Sequence, residues 1–430
     1  MFAACATLAL GACAVDASGS QAAVALQGVV PTDYAYAVSW DPDERVLDGV
    51  GTIDVENRGP KPVRDVWLRL RPNNRDGLVR VTFVKFAKIV SRRAGGSMLK
   101  LRLDGELRAG ERDAFLIEFR ARVPRDQTSL GRSAGIDLFG DVLPVIAVTG
   151  SDQPRIGPEP SYGEGSLNPV AKWSVGVTVP RGLRAVLPGR EARVSRSRKT
   201  TTYESEADVR DYAFAVGRYT SRSKRVNGVK LTVVGSAEKK RELGAALRRT
   251  VNAFSKLQQW YGGYKLPSLK VVIGDLPFGG SEYPGIVFST VDNATISHEV
   301  AHQWFYGLVG NDQYKDPFLD ESLTAFSEQR FHKSYRCNLA RPINGRHGLA
   351  TGMDYWEKHA RAYEDTIYRG GACALTLLRH DLGASVFDRA LRSYVAANAN
   401  KIASTDDFLA AIRNAAPNYD LARWQRLVGL

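Results

Sequence analysis

The sequence has no run of eighteen apolar residues, the length that a transmembrane helix needs, so no such helix is expected after the N-terminal segment. It also lacks clustered basic residues despite a formal net charge of +13, because Lys and Arg alternate with apolar positions in stretches such as VWLRLRPNNR. This scatter indicates a solvated basic surface rather than a nucleic-acid interface. Such a surface would still attract acidic envelope polymers or anionic lipid.

Cysteine is scarce, with four residues in a chain of 430. Cys5 and Cys13 belong to the N-terminal segment, which leaves Cys337 and Cys373 in the later half of the chain. An exported protein would be able to pair these two, and two buried free thiols are equally compatible with the sequence.

The N-terminal segment, residues 1–20, has an apolar run of signal-peptide length but no positive residue before Arg45. A misassigned start codon would explain the missing basic region. The stretch LGAC, which ends at Cys13, resembles a bacterial lipobox, in which the cysteine is lipidated and becomes the mature N-terminus. Plain cleavage and secretion is the alternative. We therefore expect an exported protein, extracellular or in the cell envelope, with Cys13 as the residue that would attach it to the bacterial membrane.

The chain is long enough for two domains, each with its own core. From about Tyr34 to Tyr219, apolar residues alternate with small or polar ones, as in VRDVWLRL, and turn-rich stretches such as DPDE and ENRGPK separate these runs. This pattern predicts an N-terminal all-β, sandwich-like domain over residues 30–225.

The character of the sequence changes at Asn227. VKLTVV is typical of a strand, residues 237–261 carry apolar side chains at helical spacing, and LKVVIG and GIVFST are short strands on either side of a Gly-rich loop, LPFGGSEYPG. After Asp292 almost everything is helical. The pattern predicts an α+β domain over residues 226–430.

The stretch HEVAH indicates a metal site. On a helix, positions i and i+4 share one face, so His298 and His302 can bind the same ion while Glu299 lies beside it. Because the chain has only six histidines, two of them bracketing a glutamate at this spacing is an improbable accident. A solvated helix with a satisfied histidine pair is the alternative.

A third ligand is expected from Glu321, nineteen residues after His302. Asp316-Pro317 is typical of a helix start, and an antiparallel helix there would bring Glu321 to the same ion. Two histidines and one glutamate leave a fourth position open for water, as in catalytic zinc sites. Zinc lowers the pKa of that water, and a carboxylate at Glu299 can take its proton during attack on a carbonyl.

These residues resemble a known family. HEVAHQWFYGLVGND followed by FLDESLTAFSE is similar to the gluzincin metallopeptidases of the aminopeptidase N type, relatives of leukotriene hydrolase. LPFGGSEYPGIV resembles the GGMEYPG form of the family's Gly-x-Met-Glu-Asn loop found in some bacterial members, and IYRGGACALTLLRHDLG resembles its Tyr-x-x-Gly helix. The resemblance implies a thermolysin-like α+β zinc catalytic domain after the N-terminal β-domain. No C-terminal helical domain is expected, because only sixty-two residues follow Tyr368.

The resemblance also implies a role for each matching residue. One zinc ion per chain would bind His298, His302 and Glu321, with Glu299 as general base and proton shuttle. Tyr368 would donate its hydroxyl to the oxyanion. The substrate-binding residues would be Glu282, which binds the free α-amine, and Gly279 and Gly280, whose backbone would approach the peptide as an added strand. Glu328 would orient a ligand histidine.

Three departures from the family pattern bear on function. Ser281 stands where the family has Met and Tyr283 where it has Asn, so the geometry of amine recognition is open. Ser322 replaces the glycine that usually follows the third ligand, a change between small residues that we expect to be tolerated.

The expected function is therefore a zinc-dependent aminopeptidase that acts on peptides with a free N-terminus. A zinc endopeptidase or other hydrolase without amine recognition is the second hypothesis. A catalytically silent relative that serves as a binding or scaffold module is the third. Side-chain specificity and oligomeric state are not readable from the sequence.

Overall fold

The structure is a computed structural model, and it folds into a β-rich domain followed by an α+β domain. This order confirms the predicted fold class. Across the described part of the chain, no helix is both long enough and apolar enough to cross a membrane. The proposed lipidation site at Cys13 and the N-terminal segment lie outside the described residues, which are 26, 28–74, 77–148, 155, 159–160, 163–190, 192–334, 337 and 347–430.

The β-rich domain is built on strands with alternating burial. In the first strand Tyr34, Tyr36 and Trp40 are buried, while Ala35 and Ser39 between them are exposed. This period of two buries one face of the sheet, as the sequence predicts. The strands up to residue 146 are β1 (Val29–Asp41), β2 (Val46–Asn57), β3 (Val63–Arg69), β4 (Val79–Lys85), β5 (Ala87–Arg93), β6 (Met98–Leu107), β7 (Arg112–Arg122), β8 (Leu130–Ser133), β9 (Ile136–Phe139) and β10 (Val145–Ile146).

Two sheets of this domain share one core, because Leu68 and Leu101 of the smaller sheet belong to the same buried cluster as Tyr34 and Trp173 of the larger one, which gives the predicted sandwich. Tyr34 stacks on Trp173 with ring centroids 4.1 Å apart, and Trp173 stacks on Tyr212 at 5.6 Å. The later strands are β11 (Ala171–Pro180), β12 (Arg184–Val186), β13 (Arg193–Arg196), β14 (Thr200–Val209) and β15 (Phe214–Gly217). The larger sheet has the order β13-β14-β11-β1-β2-β7-β4, and the smaller one the order β10-β3-β6-β5.

A third sheet of the β-rich domain, with the order β12-β15-β9-β8, covers the sheet of the second domain. Leu138 and Ala215 from this sheet pack with Val272 and Phe288 from the second domain in one buried apolar cluster. The interface between the two domains is therefore a hydrophobic core of its own, which holds their relative position.

The sheet of the second domain has five strands in the order β16-β17-β18-β20-β19. Its edge strand comes from the stretch predicted as a Gly-rich loop, since residues 280–283 pair antiparallel with residues 286–289. The predicted boundary at residue 226 stays a prediction, although β16, which precedes it, already pairs within this sheet. The strands are β16 (Thr220–Val226), β17 (Val229–Gly235), β18 (Ser268–Ile273), β19 (Gly280–Tyr283) and β20 (Ile286–Ser289).

Helices pack against this sheet around Trp304, Phe326 and Leu375, which are fully buried. The first helix begins at Leu243 rather than at residue 237, because the backbone of residues 236–242 closes separate turns such as Lys239 N–H to Ser236 O. The helices are α1 (Leu243–Tyr261), α2 (Asn293–Ala301), α3 (Leu323–His332), α4 (Met353–Trp356), α5 (Ala360–Tyr363), α6 (Gly371–Leu382), α7 (Ala384–Asn398), α8 (Thr405–Ala415) and α9 (Leu421–Val428).

A disulfide joins Cys337 to Cys373 on α6, with their Cα atoms 4.9 Å apart. The sequence left this pairing open. A bond of this kind is typical of proteins that fold in an oxidising compartment.

Candidate metal centre and substrate cleft

Helix α2 presents the two histidines of the HEVAH motif. Asp292 caps its first turn, since its carboxylate accepts hydrogen bonds from the backbone N–H groups of Ala294 at 2.8 Å and Thr295 at 3.1 Å. His298 lies on the helix and His302 closes it, with ring centroids 4.9 Å apart. The two imidazoles therefore share one face, as the spacing predicts.

Glu321 reaches the same point from a π-helical turn, Phe318–Ser322, which runs directly into α3. Its Oε2 lies 3.3 Å from Nε2 of His298 and 3.6 Å from Nε2 of His302, and one ligand atom from each of the three residues falls within 4.8 Å of the others. Among the described residues, this buried Oε2 has no hydrogen-bond partner. An orphaned carboxylate oxygen facing two ring nitrogens fits a zinc ion, whose protein ligands are of these types.

The charge of Glu321 is stabilised by this setting. Burial acts to raise its pKa, but His302 and His298 outweigh burial and lower the pKa of Glu321 to about 2. The carboxylate is therefore ionised at neutral pH, which is the form that binds a metal ion.

Each histidine is oriented through its other ring nitrogen. Nδ1 of His302 lies 2.7 Å from Oδ1 of Asp320, and Nδ1 of His298 lies 3.0 Å from Oε2 of Glu328. These contacts leave both Nε2 atoms facing Glu321. Glu328 was expected from the family pattern, whereas Asp320 was not, although it directly precedes Glu321 in the sequence.

His298, His302 and Glu321 together form the metal cluster. Glu299 faces this cluster without belonging to it. It is 5% exposed, and among the described residues its Oε2 has no hydrogen-bond partner. Burial raises the pKa of Glu299, while the charges of His298 and His302 lower it, and the resulting pKa is about 7. A carboxylate with this pKa can take up and release a proton near neutral pH.

Strand β19 passes close to Glu299, which explains one of its glycines. A Cβ at Gly280 would lie 2.5 Å from Oε1 of Glu299, so only glycine fits there. Gly279, just before the strand, has a φ of +99°, a backbone conformation that favours glycine. Because β19 is the edge of its sheet, its outer side has no neighbouring strand among the described residues.

Two further carboxylates face the metal cluster. An oxygen of Glu282 on β19 lies within 4.8 Å of His302 and Asp320, and an oxygen of Glu164 lies within 4.8 Å of Asp320 and Glu321. Burial raises the pKa of Glu164 and of Glu282 well above the usual range, and neighbouring carboxylates raise it further. Glu164 comes from the β-rich domain and carries no motif of its own in our reading of the sequence, so only the folded chain reveals it.

Tyr368 also reaches the cluster from a π-helical turn, Glu364–Gly370. Its ring stacks on His298 with centroids 5.9 Å apart and planes 11° from parallel. Burial raises the pKa of the Tyr368 hydroxyl, and the charge of Glu321 raises it further. The hydroxyl therefore stays protonated and available as a donor.

Ser322, which replaces the usual glycine, is accommodated by its neighbours. Its Oγ donates to the carbonyl of Ile367 at 2.6 Å. A Cβ at Gly371 would lie 2.0 Å from this Oγ, so a glycine on α6 makes room for the serine.

A cavity of about 360 Å³ opens beside the metal cluster, between the two domains. Glu164 and Glu282 both line it, so it extends from the carboxylates that face the metal cluster. Its described lining combines apolar residues with the carboxylates of Asp126, Asp141, Glu159, Glu164, Asp211 and Glu282 and the guanidinium of Arg71. Glu159 is paired with Arg69 and Arg155, which lie outside this lining.

Comparison with known proteins finds relatives of the second domain. Residues 245–424 match the model of the peptidase family M1 domain. Endoplasmic reticulum aminopeptidase 1 of Rattus norvegicus is 24% identical over 240 residues, which cover 48% of this chain and 26% of that protein. Glutamyl aminopeptidase of Homo sapiens is 22% identical over 289 residues, and aminopeptidase B of Homo sapiens is 30% identical over 161 residues.

The chain covers only 30% of human glutamyl aminopeptidase and 25% of human aminopeptidase B. A solved structure matches the fold of this chain over a greater length. That structure is of a mutant of a two-domain M1 zinc metallopeptidase bound to L-arginine. The TM-score is 0.68 at 18% identity, with 94% of this chain and 93% of that chain covered. These findings confirm the family resemblance and the fold predicted from the motifs.

The geometry predicts that Asp320 matters more for metal binding than Glu328. Asp320→Asn should weaken zinc affinity about 10- to 100-fold, because a neutral amide replaces the buried carboxylate that orients the ring of His302. Glu328→Gln is the matched variant for His298 and should have a smaller effect, since the Glu328 side chain is 28% exposed. Competition with a chelator measures both. Unchanged affinity in Asp320→Asn would contradict this role.

Proposed function

We propose that this chain, whose residues 245–424 form a peptidase family M1 domain, is a zinc-dependent aminopeptidase that removes N-terminal residues from peptides. One observation carries the proposal. His298, His302 and Glu321 converge on one point, and the additional carboxylates of Glu299 and Glu282 face it without being needed as ligands.

His298, His302 and Glu321 would hold one zinc ion per chain. Zinc supplies Lewis acidity, which lowers the pKa of a coordinated water and polarises a carbonyl. Glu299 accepts the proton of the attacking water and passes it to the leaving amine, a task that suits a carboxyl group with a pKa of about 7. Tyr368, on the His298 side of the cluster, donates its hydroxyl to the oxygen that becomes negative.

Glu282 and Glu164 recognise the free α-amine. Their carboxylates lie next to the metal cluster, where the neighbouring carboxylates raise the pKa of both. An ammonium group placed between them would relieve their mutual repulsion. Gly279 and Gly280 let the peptide backbone run along the edge of β19, in the manner of an added strand.

The acidic cavity favours a cationic first side chain. This cavity continues from Glu164 and Glu282, so the side chain of the residue whose amine they bind enters it. The one guanidinium in its described lining, that of Arg71, is paired with Asp141 and Asp211. The structurally similar two-domain metallopeptidase was solved with L-arginine bound, which supports this preference.

We also propose that the protein is exported. The Cys337–Cys373 disulfide supports an oxidising compartment, and attachment through a lipidated Cys13 remains part of the proposal.

Replacement of the general base separates an active enzyme from a silent scaffold. Glu299→Gln should lower kcat by about 10²- to 10⁴-fold while zinc content stays near one per chain, because Glu299 moves protons and binds no metal. Peptide hydrolysis and metal analysis of the purified variant measure this. Glu118→Gln, at an exposed position of β7 in the β-rich domain, serves as the control. Full activity of Glu299→Gln would exclude the mechanism, and an inactive wild-type protein with stoichiometric zinc would favour the scaffold.

Blocking the amine separates an aminopeptidase from an endopeptidase. The wild-type protein should hydrolyse a free peptide and leave its N-acetylated form intact, because Glu282 and Glu164 need a cation between them. Glu282→Ala should reduce cleavage of the free peptide without creating activity on the blocked one. Chromatography of the products identifies the bond that is cut. Equal rates on the two peptides would support the second hypothesis.

The charge of the cavity predicts specificity. Substrates with Arg or Lys as the first residue should show a kcat/KM about tenfold or more above those with Glu, because a carboxylate would meet like charges in a partly desolvated site. A panel of aminoacyl fluorogenic substrates measures this, with Leu and Gln as size-matched neutral references. Equal turnover of Glu and Arg substrates would rule out the preference.

A further inference from the structure

Tyr283, which stands where the family usually has Asn, contacts the β-rich domain with its side chain. It follows Glu282 on β19, and successive side chains of a strand point to opposite faces, so Glu282 faces the metal cluster while Tyr283 faces the β-rich domain. The tyrosine is 5% exposed, and its hydroxyl donates to Oδ2 of Asp141 at 2.9 Å. Asp141 follows β9, so this hydrogen bond joins the two domains.

Arg71 holds the acceptor of that bond. Its Nη1 lies 2.6 Å from Oδ1 of Asp141 and 2.6 Å from Oδ2 of Asp211, and its side chain is 9% exposed. One buried guanidinium therefore bridges two carboxylates of the β-rich domain. A charge-assisted contact of this length to a buried guanidinium leaves the Asp141 carboxylate, whose side chain is 30% exposed, little freedom to move away from Tyr283.

The backbone of Tyr283 is held from the opposite side. Its carbonyl accepts from Nε2 of Gln303 at 3.1 Å, and the N–H of Gly285 donates to Oε1 of the same side chain at 2.8 Å. Gln303 directly follows His302, so the end of the metal-binding helix holds the turn after β19. Glu282 thus precedes a residue that is anchored at both its backbone and its side chain.

The shape of the interface is specific for this contact. A Cβ at Gly140 would lie 2.2 Å from the Tyr283 hydroxyl oxygen and 2.7 Å from its ring, so the β-rich domain leaves open the space that the phenol occupies. A second tyrosine bonds to the other carboxylate that Arg71 contacts, because the hydroxyl of Tyr306 donates to Oδ2 of Asp211 at 2.9 Å. Tyr306 lies four residues after His302 and has a φ of +94°, so this bond holds a strained backbone next to the metal cluster.

We propose that Arg71 and Asp141 of the β-rich domain, acting through Tyr283, are positioning residues that hold Glu282 in place for the substrate amine. The inference rests on the proposed function of Glu282. A strand at the edge of a sheet has neighbours on one side only, so its outward position is set by contacts beyond the sheet. Here the Tyr283 hydroxyl supplies that contact. The β-rich domain therefore takes part in amine recognition in two ways, directly through Glu164 and indirectly through residues that act on Glu282.

The test is Tyr283→Phe, which removes one hydroxyl and keeps the ring. KM for a free dipeptide should rise about five- to tenfold, the factor of one typical hydrogen bond, while kcat changes by less than about twofold. The inhibition constant of a free amino acid should rise in parallel, because it depends on amine binding and not on chemistry. Zinc content should stay unchanged.

Tyr219→Phe is the matched control. It removes a partly buried tyrosine hydroxyl that donates to the carbonyl of Ala185 at 3.1 Å, away from the metal cluster. A merely structural role for Tyr283 would lower thermal stability in both variants and leave KM and the inhibition constant unchanged. That outcome would overturn the proposal.

Asp141→Asn tests the same bond if Tyr283→Phe fails to fold. It keeps the shape of the side chain and weakens both the Arg71 contact and the acceptor for Tyr283, so KM should again rise with kcat little changed. The double variant should be no worse than the more impaired single variant, because both changes act through one contact. Additive effects or an unchanged KM would overturn the positioning role. Equal wild-type activity on free and N-acetylated peptides would instead refute the proposed function itself.

Discussion

The concentration of buried negative charge around two histidines is the constraint on which the rest of the structure depends. Carboxylates placed this close in a partly dry site repel one another, and burial raises the pKa of several of them. A stable arrangement needs positive charge from the histidines, from a metal ion and from the ligand. The three ligand-type residues therefore suit a divalent ion, and the ammonium group proposed above would add positive charge beside it. The carboxylates concerned are those of Glu164, Glu282, Glu299, Asp320 and Glu321.

This constraint explains why the site lies between two domains. No single helix or strand could bring these carboxylates together, so the second domain supplies most of them from α2, β19 and a π-helical turn, and the β-rich domain adds Glu164. The apolar cluster around Leu138 and Phe288 holds the two domains in register. Within that frame, Arg71 holds Asp141, and the hydrogen bond from Tyr283 to Asp141 joins the β-rich domain to the end of β19. Both Glu321 and Tyr368 lie on π-helical turns, an irregular geometry that often occurs at functional sites.

Local patterns predicted much of this protein well. Alternation of apolar residues identified the β-rich domain, and the spacing of His298 and His302 identified the metal-binding helix, because both signals depend on neighbours in the chain. The predictions were weaker where long-range pairing decides the outcome. The stretch around Glu282 looked like a Gly-rich loop and is an edge strand, since its partner β20 lies beyond a short turn and completes a sheet. The start of α1 was placed too early, because residues 237–242, AEKKRE, favour a helix by composition while their backbone closes separate turns.

By itself, the sequence determined the two-domain order and the candidate metal site, with His298 and His302 around Glu299 and with Glu321 nineteen residues after His302, because each depends on spacing along one segment. Family resemblance extended this to Tyr368, Glu328 and Glu282. Only the tertiary structure decided that Glu164 faces the metal cluster and that Asp320 contacts His302. It also decided that Tyr283 hydrogen-bonds to Asp141 of the other domain. These contacts join residues far apart in the chain, such as Tyr283 and Asp141, or depend on the direction in which one side chain points. Neither property leaves a periodic signal in a single sequence.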